Sequence, residues 1–275
     1  MLIDEIIKYC DSNYSQCSQN CGRQENCSCN CRYCLDIIFR GNPPSRAYDC
    51  YRMVNFYVCK YAYKYATEMI YALNDLDLDF NFNPKILSVG CGPGTELLAL
   101  DYLHTHSSFD FEFIGLDIND IWEKVHNEIQ SQYSVITSSS VKFEYDGNNT
   151  NEYIENWANI VIFQYVFSDI SHFSDFDTYI ASILPSLNKL PSGSYIIIND
   201  INSNTKDLMI EFSNKLQSFD VKKFYFPFPR YSRFGNAYGD GSSTISLKFT
   251  IPFRIKLKYD SLETCTSVQM ILRKR

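Results

Sequence analysis

The stretch ILSVGCGPGTE (86–96) decides the fold of this chain of 275 residues. Its first half is apolar, as in a buried strand, and the helix-like run ELLALDYLHTH (96–106) follows at once. Between the two lie Gly90, Gly92 and Gly94, which let the backbone turn sharply and approach a ligand closely. The start of the helix adds a partial positive charge. The stretch therefore predicts a strand, a loop and a helix with a ligand site at the loop.

The sequence that follows repeats this alternation. Strand-like runs occupy 111–117, 141–146, 158–167 and 194–200, and helix-like runs follow the first, third and fourth of these at about 120–131, 175–188 and 205–219. Such alternation predicts a parallel sheet with helices on both faces. Residues 221–275 instead combine alternating aromatic and β-branched residues with glycine-rich turns and no clear helix, which predicts antiparallel strands. We therefore predict an α/β fold, a Rossmann-like doubly wound sheet that is mostly parallel with an antiparallel C-terminal edge.

The composition bounds the class of protein. Hydrophobic residues make up 45% and charged residues 21%, which is typical of a globular protein and excludes a disordered one. No run of 18 apolar residues is present, and the N-terminal residues do not form a secretory signal pattern. We expect a cytoplasmic protein without a membrane partner. It would comprise a cysteine-rich helical cap at 1–75, including a helix from about 45 to 73, and a second domain at 76–275.

Cysteines are concentrated at the N-terminus, where nine of the 11 lie in the first 59 residues. A dense cluster in a cytoplasmic protein indicates a metal site before it indicates disulfides. Zinc takes four thiolate or imidazole ligands, commonly from closely spaced pairs. We favour structural zinc, with an iron–sulfur cluster, disulfides or no ligand as alternatives. The candidate zinc ligands are Cys17, Cys21, Cys27, Cys29, Cys31 and Cys34.

The glycine spacing points to a family. A nicotinamide-type fingerprint requires glycine at the position of Thr95, whereas the spacing here is Gly-x-Gly-x-Gly. This pattern resembles the first motif of the class I S-adenosylmethionine-dependent methyltransferases. Two acidic residues agree with the resemblance: Asp117 ends the second strand, where a carboxylate can accept both ribose hydroxyls, and Asp146 ends the third, where the family places a contact to adenine. The resemblance covers about 84–219 and a final strand pair, and it implies S-adenosylmethionine lined by Gly90, Cys91, Gly92, Gly94, Asp117, Asp146 and Gln164.

One position departs from the family pattern. Many members carry an acidic residue two positions before the first glycine, where it helps to hold the methionine part of the cofactor. Ser88 occupies that position here. Glu96 is a possible substitute, although a carboxylate at a helix start also serves simply as a partner of the helix dipole. The amino-acid end of the cofactor is therefore expected to be held differently.

The fourth strand carries the motif that often reports the methyl acceptor in this family. FQYVFSD (163–169) aligns loosely with the motif of amine- and amide-directed members through Gln164 and Phe167, but both prolines are missing. Members with other substrates carry generic apolar residues here, and we favour that interpretation. Asp169 and His172 follow in a predicted loop, where they are candidates for a catalytic base or are solvated side chains.

The charge distribution bears on the acceptor. Residues 221–275 contain 11 Lys/Arg and 3 Asp/Glu, a balance of +8, whereas residues 1–220 carry −15, which together give the net charge of −7. The segment 222–234 interleaves basic and aromatic residues, as in proteins that bind single-stranded nucleic acid, but a solvated hairpin fits equally well. We therefore predict a methyltransferase whose acceptor is a nucleic acid, a protein or a small molecule. The alternatives are a non-catalytic module that binds S-adenosylmethionine or a partner, and transfer of an aminopropyl group.

Overall fold

The computed structural model describes residues 1–16, 30–40, 48–76, 83–107, 110–133, 140–201, 205–225 and 246–275. Within these ranges the chain forms one seven-stranded sheet in the order β3-β2-β1-β4-β5-β7-β6. The first five strands in chain order pair in parallel, and β7 runs antiparallel between β5 and β6. The predicted antiparallel edge is therefore confirmed. The strands are β1 (Lys85–Val89), β2 (Glu112–Leu116), β3 (Val141–Glu144), β4 (Ile160–Gln164), β5 (Tyr195–Asp200), β6 (Phe219–Tyr225) and β7 (Val268–Lys274).

Helices cover both faces of the sheet, as a doubly wound arrangement requires. Successive residues of a strand point to opposite faces, so Ile160 and Ile162 join one core while Val161 and Phe163 join the other. The first core is covered by α1 (Leu2–Gln16), α2 (Cys31–Arg40), α3 (Tyr51–Asn74), α4 (Thr95–Ser107), α5 (Glu123–Tyr133) and α10 (Phe253–Tyr259). The second is covered by α6 (Thr150–Asn156), α7 (Phe167–Phe173), α8 (Phe176–Leu187) and α9 (Thr205–Lys215).

Polar contacts as well as apolar packing join α1 to the rest of the chain. Asp101 of α4 accepts a hydrogen bond from the backbone N–H of Leu2 at 3.0 Å and so caps α1. Asp11 of α1 is buried and pairs with Arg254 and Lys258 of α10. The Tyr259 hydroxyl donates to Asp11 at 2.7 Å. The helices α1 and α10 are thereby joined, and both also contact α3.

Two helices depart from the sequence prediction. The C-terminal segment, expected to lack a helix, contains α10, whose Ile255 and Tyr259 are buried four residues apart among exposed basic side chains. The predicted loop after β4 is the helix α7. Its first turn is stabilised by Asp200 of β5, which accepts the backbone N–H of Ser168 at 3.0 Å. This capping residue lies 32 positions away along the chain, so local patterns cannot reveal the helix.

Candidate functional site

The glycine loop lies at the carboxyl edge of the sheet, between β1 and α4. Gly90, Gly92 and Gly94 have φ values of 66°, 50° and 76°, which are in the left-handed region that favours glycine. A Cβ at Gly90 would come within 2.7 Å of Val166 Cγ2, and one at Gly94 within 3.1 Å of the Phe143 ring. Glycine is therefore required at these two positions both by conformation and by space.

Asp117 connects the end of β2 to this loop. One carboxylate oxygen accepts the backbone N–H of Gly92 and the other that of Asn119, each at 2.8 Å. Burial raises the pKa of Asp117 to about 6, although these two hydrogen bonds act in the opposite direction. The predicted acidic residue of the second strand thus meets the predicted glycine loop.

His126 of α5 contacts the glycine loop, and no motif in the sequence indicates this role. Its Nε2 lies 2.7 Å from the carbonyl oxygen of Gly92, and its Nδ1 lies 2.8 Å from the Tyr145 hydroxyl. The ring stacks on Phe143 with the centroids 3.8 Å apart. Burial lowers the pKa of His126 to about 3, so the imidazole is neutral at physiological pH. A neutral ring suits a structural role under the loop.

The ends of β2 and β3 form a rim beside the loop. Asp146 is exposed and accepts the backbone N–H of Asn148 at 2.9 Å, which caps a short 3-10 turn at Gly147–Asn149. Ile118 is 85% exposed, and a Cβ at Gly147 would lie 3.2 Å from its Cγ2. An apolar side chain open to solvent therefore stands next to the predicted adenine contact, an arrangement that suits the face of an aromatic base.

Gln164 occupies the end of β4 but is engaged inside the protein. Thr95 Oγ1 donates to Gln164 Oε1, and Gln164 Nε2 donates to the carbonyl oxygen of Tyr65, each at 2.9 Å. The buried amide thereby joins the start of α4 to α3. Both of its polar atoms have partners, so Gln164 fixes the geometry of the edge, and its predicted contact with cofactor or acceptor stays a prediction.

Asp169 and His172 lie three residues apart on α7 rather than in a loop. Asp169 is half-buried, and burial raises its pKa to about 8, with smaller contributions from the negative charges of Asp200 and Asp117. Burial likewise raises the pKa of Asp200 to about 6. The carboxyl groups of Asp117 and Asp200 therefore both act on Asp169, which is a candidate acid or base at this edge.

Tyr57, Tyr61 and Tyr65 of α3, together with Tyr165 after β4, form a tyrosine wall at the carboxyl edge of the sheet. The Tyr65 and Tyr165 rings stack with centroids 3.9 Å apart, and the Tyr57 and Tyr61 centroids are 4.8 Å apart. Asp169 is close enough to raise the pKa of Tyr57 further, although burial is the main cause. Only the tertiary structure brings Tyr57 of α3 near Asp169.

Tyr165 adds a buried polar network behind this wall. Its backbone has a φ of 59°, unusual for a residue other than glycine, and its hydroxyl donates to Glu68 at 2.7 Å. Lys64 pairs with Glu68 at 3.0 Å and also contacts the Tyr165 hydroxyl. Asn199 Nδ2 donates to Glu68 at 3.1 Å. The network joins α3 to the ends of β4 and β5 and holds the wall in place.

The predicted metal site falls mostly outside the described residues. Cys31 and Cys34 lie three residues apart on α2, both buried. Within the described ranges no three metal-ligating side chains come together. The other candidate ligands, Cys17, Cys21, Cys27 and Cys29, lie outside those ranges, so the zinc site stays a prediction. The segment 222–234 is likewise described only to Tyr225, the last residue of β6.

The described helices include none that is long and apolar enough to cross a membrane. Comparisons with family models and with curated proteins find no match.

Solved structures of similar topology include methyltransferases and a probable spermidine synthase from Corynebacterium glutamicum. An rRNA methylase from Streptococcus thermophilus is 14% identical over 78% of this chain and 94% of that chain, with a TM-score of 0.41. A putative class I S-adenosylmethionine-dependent methyltransferase from Listeria monocytogenes is 13% identical over 76% of this chain and 58% of that one, with a TM-score of 0.42. The plantazolicin methyltransferase, in complex with S-adenosylhomocysteine, is 13% identical over 100% of both chains, with a TM-score of 0.40. Similarity at this level concerns the arrangement of helices and strands and transfers neither activity nor ligand.

Proposed function

We propose that this protein is an S-adenosylmethionine-dependent methyltransferase of class I. The observation that carries the proposal is the meeting of three left-handed glycines with Asp117 at the carboxyl ends of β1 and β2. This is the position where the strand order changes direction, since β2 and β4 lie on opposite sides of β1. Open α/β sheets bind nucleotide-like ligands at such a switch point.

The residues present fit the cofactor. Asp117 uses one acceptor position on each oxygen for Gly92 and Asn119, and a carboxylate offers about four, so positions remain for two ribose hydroxyls. The exposed side chain of Ile118 and the carboxylate of Asp146 suit the face and the amine of adenine. Gly90, Cys91, Gly92 and Gly94 would border the sulfur-bearing chain, where the absence of Cβ atoms at the glycines permits close approach.

The bound cofactor would supply a methyl group on a positively charged sulfur. Methyl transfer is an in-line displacement, so the protein contributes mainly by holding the acceptor close and aligned. The tyrosine wall, including Tyr57 and Tyr65, would exclude water from this edge. With a pKa of about 8, Asp169 is mostly protonated at pH 7, and its ionised form, which dominates above about pH 8, would accept a proton from the acceptor.

The charges at this edge of the sheet bear on the choice of methyl acceptor. Asp117 and Asp200 are mostly ionised at pH 7 and oppose a phosphate placed beside them, so a nucleic acid would have to extend its backbone elsewhere. Lys222 and Lys223 lie on β6, which ends at Tyr225 on the same edge of the sheet as Asn199. The segment 222–234 is therefore the candidate contact with a nucleic acid. Nucleic acid, protein and small molecule all remain candidate acceptors, and the N-terminal cysteines remain a proposed structural zinc module.

Calorimetry with S-adenosylhomocysteine and the full-length protein tests the proposal. Asp117→Ala removes a charged hydrogen-bond acceptor worth about 1.5–3 kcal/mol, so affinity should fall about ten- to hundred-fold. Asp120→Ala is the matched control, because this exposed acidic residue lies only three positions away. No binding by the parent protein, or equal binding by both variants, would refute the proposal.

Product analysis separates the alternatives. Incubation with S-adenosylmethionine and a panel of amines, peptides and short RNAs should release S-adenosylhomocysteine if a methyl group is transferred. Release of methylthioadenosine would instead indicate aminopropyl transfer, and binding without turnover on any acceptor would favour the non-catalytic module.

A further inference from the structure

We infer that Glu96, from the first turn of α4, binds the ammonium group at the amino-acid end of the cofactor and replaces the carboxylate that Ser88 does not supply. The inference rests on the proposed function. It goes further by assigning a ligand group to a side chain that the glycine motif leaves without a role.

The geometry that carries the inference is a buried carboxyl group lacking a complete set of partners. Glu96 is 1% exposed and Ser88 is 0% exposed. Within the described part of the chain, neither Glu96 Oε2 nor Ser88 Oγ has a hydrogen-bond partner of good geometry, although the hydroxyl lies close enough to lower the pKa of the carboxyl. Buried polar atoms are almost always hydrogen-bonded, and exceptions at a ligand site indicate a missing partner.

The charges around Glu96 indicate what kind of partner is missing. The charged or titratable groups that act on it or feel its charge are Asp117 at the end of β2, Tyr57 of α3 and Cys91 of the loop. None of these three is a cation. Burial accordingly raises the pKa of Glu96 to about 8, with Asp117 contributing in the same direction. A cationic ligand group would reverse both effects.

The helix dipole does not account for this side chain. The carboxyl group accepts a backbone N–H of its own residue, as an acidic residue in a first helical turn commonly does. A carboxylate that only interacts with the start of a helix can remain in solvent, whereas Glu96 is buried together with the side chain of Ser88 on β1. The small serine leaves room for a carboxylate that approaches from α4 instead of from β1.

The test compares two ligands that differ only in the amino-acid part. S-adenosylhomocysteine carries the ammonium group, and 5′-methylthioadenosine lacks the amino-acid part entirely. Glu96→Gln should weaken binding of S-adenosylhomocysteine about ten- to hundred-fold, as expected for a lost charged hydrogen bond, and should change binding of methylthioadenosine less than about two-fold. Asp117→Ala should weaken both ligands by the same factor, because both contain the ribose.

Two further variants make the result specific. Asp101→Asn removes another buried carboxylate of α4, one that caps α1, and should leave the ratio of the two affinities unchanged. The double variant Ser88→Asp/Glu96→Gln returns a carboxylate to β1 and should restore at least part of the preference for S-adenosylhomocysteine.

The parent protein provides a second measurement that requires no variant. Since Glu96 must ionise to bind the ammonium group, the preference for S-adenosylhomocysteine over methylthioadenosine should rise by up to about ten-fold per pH unit between pH 6 and 8. Titration of Asp117 affects both ligands and cancels in the ratio. A preference independent of both pH and Glu96→Gln overturns the inference, whereas failure of the parent to bind either ligand overturns the proposed function itself.

Discussion

Replacing Gly90 with alanine should lower the free energy of unfolding more than the same change at Gly92. Both glycines have positive φ values, 66° and 50°, so alanine incurs a conformational cost of about 1–2 kcal/mol at either position. A less flexible unfolded chain offsets about 0.4–1 kcal/mol of that cost. Conformation alone therefore predicts a loss of about 1 kcal/mol for Gly92→Ala, where a Cβ would meet nothing within 4 Å.

Gly90→Ala adds a collision to this cost. The new Cβ would lie 2.7 Å from Val166 Cγ2 and 3.3 Å from Cγ1, at the start of α7. Overpacking of this kind costs about 1–3 kcal/mol, so the total loss in the free energy of unfolding should be about 2–4 kcal/mol.

Urea unfolding of the two single variants, of Val166→Ala and of the double variant Gly90→Ala/Val166→Ala measures the collision directly. Removing the Val166 methyl groups should relieve it, so the double variant should be about 1–3 kcal/mol more stable than the sum of the single effects predicts. Equal losses for Gly90→Ala and Gly92→Ala, or additive effects in the double variant, would refute the reasoning.

Three other predictions concern stability, pH and metal. Burial raises the pKa of Glu96 to about 8, so the folded state holds a proton that the unfolded state has released, and stability should fall as pH rises from 6.5 to 8. In chemical unfolding of the ligand-free protein, Glu96→Gln should reduce this pH dependence and should raise the stability at pH 8. Asp11→Ala should lower the free energy of unfolding by about 1–3 kcal/mol, since it leaves the buried Tyr259 hydroxyl without its acceptor, whereas Glu5→Gln on the exposed side of α1 should change it by less than about 0.5 kcal/mol. Freshly prepared protein should contain zinc by elemental analysis, and the metal should be lost when Cys31 and Cys34 are both replaced by serine; protein free of any transition metal would contradict the predicted module.

Several parts of the site follow from the sequence because their signals are local. The spacing of Gly90, Gly92 and Gly94 reports a left-handed turn, and Asp117 follows directly from the end of an apolar strand. Parallel strands place their carboxyl ends at one edge, and there the Gly92 N–H donates a hydrogen bond to Asp117.

The roles of other residues follow only from their neighbours in the tertiary structure. Gln164 aligns with a substrate motif, but Thr95 and Tyr65 use both ends of its amide. His126 has no motif of its own, yet it supports Gly92 from a helix 34 residues away. Interactions of this kind join distant segments, and a pattern read along the chain carries no information about them.

The sequence by itself determined the alternation of strands and helices, the glycine loop and the acidic residue opposite it, because periodicity, turn chemistry and strand ends are properties of neighbouring residues. Only the tertiary structure decided which side chains are enclosed and with what. It stacks Tyr65 of α3 on Tyr165, brings Tyr57 near Asp169, and buries Glu96 together with Ser88. Burial and the charges across a packed interface set the pKa of a carboxyl group, and both depend on contacts between parts of the chain that are far apart in sequence.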